Sequence, residues 1–142
     1  MYRNFKLESD TELIGYEWKG NKPRFVVCLV HGIGEYAGRY DRTGEVFKEA
    51  GIAMVGMDLR GHGLSTGTRG HASPRESVLR DVDRLVEFAQ REYPDIPVFL
   101  YGHSMGGNIA LDYRRRGTYR NVPAAYIVTA PWIILQRQIP GY

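Results

Sequence analysis

The sequence predicts an α/β domain: a mostly parallel sheet with helices on both faces. Three observations predict it. The strand candidates at 24–30 and 52–57 carry apolar runs, from Phe25 to Val30 and from Ile52 to Met57, that no polar residue breaks, as in strands buried on both faces. Val78, Val82, Leu85, Val86 and Ala89 recur at helical spacing between such runs. Finally, Gly102-His103-Ser104-Met105-Gly106 stands directly between an apolar run and a helical stretch. Strands that alternate with helices close into a parallel sheet, because parallel neighbours need a crossover long enough to hold a helix.

Each element has its own signal. Residues 4–8 and Glu12–Trp18 read as an N-terminal hairpin, followed by the apolar strand at 24–30. A helix is predicted over 39–50, with Gly51 as its C-cap, and then a strand at 52–57. Ser73-Pro74-Arg75-Glu76 reads as a capping box with proline at the first helical position, opening a helix that Pro94 ends. Glu76/Arg80 and Glu87/Arg91 stand four apart on its polar face, where such pairs support a helix. A strand at 97–101, a helix at 106–116 and a strand at 123–129 complete the alternation.

Composition narrows the function classes. A net charge of +3 over 142 residues is too small to argue for nucleic acid without a basic pattern. The one concentration, Arg114-Arg115-Arg116 with Arg120, reads as a helix C-terminus where cations complement the dipole and Gly117 supplies the stop; an anionic lipid surface is the second reading. The longest uninterrupted apolar run is Phe25–Val30, so neither a signal peptide nor a membrane-spanning helix is expected. Cys28, the single cysteine, falls inside that run and reads as a buried core thiol, which suits a cytoplasmic location.

The chemistry gathers in three loops. Gly102 to Gly106 has the G-x-S-x-G pattern of a nucleophile elbow, in which glycines two residues to either side of the serine avoid collision with the adjoining strand and helix. Ser104 is the candidate nucleophile, and the N-terminus of the following helix offers unpaired N–H groups to an oxyanion. His31-Gly32-Ile33-Gly34-Glu35 follows the strand at 24–30 and is expected to face the elbow, with the Ile33 and Met105 N–H groups as a pair of oxyanion donors. Asp58, Arg60 and His62, after the strand at 52–57, are expected to form a polar network that supports the site from below. All four histidines precede Ser104, and Asp112 is the only acidic residue after it, so no Ser-acid-His triad in that order can be built from this chain.

His31-Gly32-Ile33-Gly34-Glu35 with Arg39-Tyr40, the stretch from Asp58 to Ser65, that from Gly67 to His71, and the GHSMGG of residues 102–107 occur in the order and spacing of one known family. The chain resembles the monoacylglycerol lipases and lysophospholipases among the α/β-hydrolases. That resemblance implies an α/β-hydrolase fold and a serine, Ser104, that attacks the carbonyl of a glycerol ester or lysophospholipid. It also implies oxyanion donors at Ile33 and Met105, supported by His31, Gly32, Gly102, His103 and Gly106, and no metal or organic cofactor. Residues 1–142 correspond to the N-terminal part of one such domain, without the lid and the last strands that carry the family's acid and base. The expectation is therefore a serine ester hydrolase present as an incomplete, poorly active part. It would have a lipid-ester substrate, peripheral membrane contact, no nucleic acid partner, and either self-association or pairing with a C-terminal part. A non-catalytic half-domain that binds lipid or a partner is the alternative. A dinucleotide-binding domain is a third reading, resting on Gly32, Gly34, Gly38 and Asp58, but it leaves the elbow unexplained and sets Glu35 against a pyrophosphate.

Overall fold

A computed structural model describes residues 1–72, 74–119 and 121–134. Strands β1 (Arg3–Glu8) and β2 (Glu12–Trp18) form the hairpin, and β3 (Phe25–Val30) leads through a 3-10 turn (Ala37–Tyr40) into α1 (Asp41–Glu49). Then follow β4 (Ile52–Met57), α2 (Arg75–Glu92), β5 (Val98–His103), α3 (Met105–Arg116) and β6 (Ala125–Thr129). The helix expected over 39–50 thus starts as a tighter turn, whose Ala37 N–H is tied to Asp58 Oδ1 at 2.8 Å rather than left to an α-helical start.

The six strands lie in the order β1-β2-β4-β3-β5-β6. β4, β3, β5 and β6 are parallel, while β2 pairs antiparallel with both β1 and β4. The chain passes from β3 to β4 on one side and then crosses to β5 on the other. The carboxyl ends of β3 and β5 therefore open where the strand order reverses, the place at which α/β sheets bind ligands.

Period-two alternation in β3 shows why its apolar run is continuous. Val26, Cys28 and Val30 pack with residues of α2 and α3, while Val27 and Leu29 join Trp18 and Met54 on the side of α1. α1 rests directly on Trp18, for a Cβ at Gly44 would lie 2.4 Å from the indole, and the indole Nε1 donates to Asp41 Oδ1 at 2.8 Å. Cys28 is fully buried, and burial pushes its thiol above the ordinary range, as suits a core residue.

Several surface expectations are corrected. Pro74 stands at the N-cap of α2 in an extended conformation, and its carbonyl accepts the Ser77 N–H at 3.1 Å; Ser73, the other half of the expected capping box, lies outside the described residues, as does Arg120. The expected Glu76/Arg80 pair does not form, because Glu76 turns across to Arg116 on α3 while Arg80 reaches Asp10 at 3.2 Å. Glu87 takes Arg84 at 3.1 Å. Glu76 and Arg80 thus exchange the contact of an isolated helix for interhelix and loop partners, while Glu87 keeps a partner within α2. Arg115 and Arg116 both reach Asp112, Arg114 lies 5.7 Å over the Tyr126 ring, and Gly117 ends α3 at φ 59. Arg114, Arg115 and Arg116 thus stand in the last turn of α3 with Gly117 as the stop, as expected, and find partners within the chain.

Asp81 was not singled out by sequence, yet it is fully buried on the apolar stripe of α2. Arg60 binds it through Nε at 2.7 Å and Nη2 at 2.8 Å, and Ser9 Oγ donates to it at 2.6 Å. A carboxylate three residues from Val78 and four from Leu85 was the available signal. Paired this way, it ties the β1–β2 turn and the loop after β4 to α2.

Candidate active site

Ser104 occupies the sharp turn between β5 and α3 with φ 57 and ψ −118, a strained conformation for a residue with a Cβ. The flanking glycines are required by close approach. A Cβ at Gly102 would lie 2.2 Å from the Gly106 carbonyl oxygen, and one at Gly106 would lie 2.0 Å from that of Val30. β6 holds the turn in place. Ser104 N–H donates to the Thr129 carbonyl at 3.0 Å, and the Ser104 carbonyl accepts the Trp132 N–H at 3.1 Å. His103 joins the clamp through Nδ1, 2.8 Å from Thr129 Oγ1. The strand that follows α3 thus helps to hold a backbone conformation that the elbow residues alone would relax.

The loop from His31 to Glu35 lies against the elbow, as its place after β3 demands. A Cβ on Gly32 would sit 3.2 Å from Ser104 Cβ. Met105 is the first residue of α3, so its N–H is among those that a helix start leaves without an intrahelical acceptor. Ile33 is half-buried in the same loop. Leu59 N–H donates to His31 Nε2 at 2.9 Å, so the proton sits on Nδ1, which donates to the Gly32 carbonyl at 2.7 Å.

The expected Asp58–Arg60–His62 network does not form. Asp58 is buried and accepts from Tyr16 Oη at 3.0 Å, Ala37 N–H at 2.8 Å and Leu64 N–H at 2.9 Å, whereas Arg60 points to Asp81 on the opposite face of the sheet. Strand alternation would put Asp58 and Arg60, two apart, on one face, but β4 ends at Met57 and the chain turns after it, with Gly61 at φ 75 and Gly63 at φ 50. His62 packs its ring 5.3 Å from that of His31, and its Nδ1 lies 3.1 Å from the Arg60 carbonyl. Asp58 thus anchors the loop after β4 to the turn before α1, and Glu35, treated from sequence only as part of a motif, proves to bind the loop beside the nucleophile.

Residues 21–142 match the family described as serine aminopeptidase, S33. Over 109 residues the chain is 38% identical to the monoacylglycerol lipase of Mycolicibacterium smegmatis, covering 77% of this chain and 38% of that protein. The crystal structure of a soluble variant of monoglyceride lipase from Saccharomyces cerevisiae superposes with a TM-score of 0.80 at 31% identity, over 95% of this chain and 45% of that one. The chain belongs to the monoacylglycerol lipase and lysophospholipase family of α/β-hydrolases. Phospholipase YtpA of Bacillus subtilis is a further relative, 33% identical over 124 residues, covering 87% of this chain and 47% of that protein. The chain thus spans less than half the length of these relatives.

Family membership displaces the dinucleotide reading, and the geometry says why. The Gly32 N–H that a phosphate would need is held by Glu35 Oε1 at 2.6 Å, and both Asp58 oxygens are bound inside the fold instead of facing a ribose.

His31 makes this site of the hydrolase family acid-sensitive. Burial pushes its imidazole from 6.5 down to about 4, with the His62 ring adding to the fall and the Gly32 carbonyl opposing it. The folded state therefore binds fewer protons than the unfolded chain between those values. The neutral imidazole's contribution is complete above pH 6.5 and is lost as pH falls toward 4, about 3 kcal/mol in all. In urea titrations between pH 7 and pH 4.5, His31→Asn, which keeps a donor for Gly32, should show a shallower loss of stability than the parent. Parallel slopes would refute the assignment.

Proposed function

We propose that Ser104 is the nucleophile of a serine carboxylic-ester hydrolase whose substrates are monoacylglycerol- or lysophospholipid-type esters. The observation that carries this reading is the strained Ser104 on a strand-to-helix turn, packed against the glycine loop that ends β3. Ser104 Oγ forms the bond to the ester carbonyl carbon, and the displaced π electrons move onto the carbonyl oxygen. The N–H groups of Ile33 and Met105 receive that oxyanion, in the field of the α3 N-terminus, and one such donor is typically worth about 2.7–4 kcal/mol of barrier. The Oγ proton goes to an imidazole that a further segment of a longer protein supplies: in the chain order of this elbow the base follows the nucleophile, whereas all four histidines of residues 1–142 precede Ser104, and His31 commits both nitrogens to the fold. The relatives' names, monoacylglycerol lipase and phospholipase, support the substrate class. A cytoplasmic location with peripheral membrane contact belongs to this reading; among the described residues no helix is long and apolar enough to cross a membrane.

The test is hydrolysis of monooleoylglycerol and lysophosphatidylcholine by the full-length protein, together with labelling by a fluorophosphonate. Both signals should vanish in Ser104→Ala. Turnover that survives this substitution would overturn the assignment.

A specific observation also favours association. β6 pairs on one side only among the described residues, and Ile127, Val122 and Ile133 around it are exposed by 38%, 69% and 72%. A concavity of about 740 Å³, lined by Tyr113, Tyr119, Val122 and Tyr126 among others, opens beside its start. An uncharged edge strand with apolar neighbours is a template for another strand. Residues 1–142 at micromolar concentration should therefore scatter light as dimers or larger species, or pair with a C-terminal part. A monodisperse monomer with a cooperative thermal transition would refute this.

A further inference from the structure

Gly32 is gripped from both of its peptides. Its carbonyl accepts from His31 Nδ1 at 2.7 Å, and its N–H donates to Glu35 Oε1 at 2.6 Å. Carbonyl and N–H point in opposite directions across a trans peptide, so with the Gly32 oxygen turned to the His31 imidazole, the Ile33 N–H of the same unit points away from it. Gly32 itself is wedged between carboxylate and nucleophile. A Cβ there would lie 3.1 Å from Glu35 Oε1 and 3.2 Å from Ser104 Cβ. Gly34, at φ 68, turns the chain so that Glu35 can reach back to a residue three before it.

Glu35 is itself held. Tyr40 Oη donates to the same Oε1 at 2.7 Å, and Arg39 Nη1 stands 3.8 Å from Oε2. The Glu35 side chain is 14% exposed, so water is a poor substitute for either partner. Burial, reinforced by Glu35, raises the Tyr40 phenol, which keeps it a neutral donor at ordinary pH. The link runs from the start of α1 through Tyr40 and Glu35 to the glycine beside Ser104.

Resting on the proposed hydrolase, we propose that Glu35 is a positioning residue: by holding the Gly32 N–H, and held in turn by Tyr40, it keeps the Gly32–Ile33 peptide turned so that the Ile33 N–H serves the oxyanion. Without it, a buried N–H next to the nucleophile lacks an acceptor. That N–H belongs to the His31–Gly32 peptide, and turning this unit to find an acceptor changes the Gly32 dihedrals and so carries the next unit, with the Ile33 N–H, out of place.

The test is made in the full-length enzyme. Glu35→Ala should lower kcat by about 100-fold, the size of losing one oxyanion donor, with KM changed by less than about twofold. Glu35→Gln keeps an acceptor oxygen for Gly32 and should restore kcat to within about fivefold of the parent. Tyr40→Phe should fall between the two. Hydrogen exchange at the Gly32 amide should be fast in Glu35→Ala and slow in the parent and in Glu35→Gln. The proposal is overturned if Glu35→Ala leaves kcat unchanged, if its loss lies in KM alone, or if Glu35→Gln is as impaired as Glu35→Ala. Should Glu35→Ala fail to fold, the other two variants decide: Glu35→Gln near the parent and Tyr40→Phe slower supports it, and any other ranking overturns it. Activity lost in Ser104→Ala but indifferent to Glu35 sinks only this proposal, whereas activity indifferent to Ser104 sinks the proposed hydrolase itself.

Discussion

Residues 1–142 assayed alone should hydrolyse a p-nitrophenyl ester at no more than about 10³–10⁴ over the water rate, the residue left when a triad is broken but binding and the oxyanion site persist. Ser104→Ala should lower this further only slightly, because a serine hydroxyl without a base is a weak nucleophile. The reason lies in how the histidines are used. His31 lies tilted against His62 in the interior with both its own nitrogens bonded, and every histidine of residues 1–142 precedes Ser104, whereas the base of such an elbow follows it. Supplying a C-terminal part of the longer protein in trans should raise turnover by orders of magnitude. Turnover by residues 1–142 alone at about 1–10³ s⁻¹, the usual enzyme range, and abolished by Ser104→Ala, would show that one of these histidines acts as the base after all.

Asp81→Ala should be the most destabilising substitution outside the elbow, costing about 3–5 kcal/mol because it leaves the Arg60 guanidinium buried without its main partner. Arg60 is only 12% exposed, and Asp10, its other partner, sits at the surface with 45% exposure. The guanidinium is held above its ordinary range chiefly by its hydrogen bonds to Asp81. Asp81→Ala combined with Arg60→Met should recover most of the loss, since it removes the stranded charge along with its partner. Urea midpoints of the single and double variants make the measurement. A double variant no better than Asp81→Ala would mean that the cost comes from the cavity rather than the charge.

Much of the fold was legible in the sequence because its signals are local. Six consecutive apolar residues at Phe25–Val30 cannot be solvated on either side, so both faces of β3 had to be covered. The elbow was legible for a steric reason: with carbonyl oxygens 2.2 Å and 2.0 Å from where a Cβ would stand, Gly102 and Gly106 tolerate little else. Glu35 and Asp81 were not legible in the same way. A carboxylate in a motif or on an apolar stripe announces that it has a partner, but the partners, Gly32 N–H with Tyr40 and Arg60 with Ser9, are set by how the chain turns in space.

By itself, the sequence determined the strand and helix alternation and the place of Ser104 between β5 and α3, because each follows from neighbours along the chain. Only the tertiary structure decided which polar groups meet. Asp58 and Arg60 stand two residues apart, and sequence reading joined them in one network; the sheet sends one to Tyr16 and the turn before α1, and the other to α2. Crossing from β4 to β5 brings the glycine loop of β3 against the elbow, and β6 then clamps Ser104 through Thr129. Hydrogen bonds and ion pairs act over a few ångströms, and which groups come that close depends on topology and register rather than on spacing in the chain.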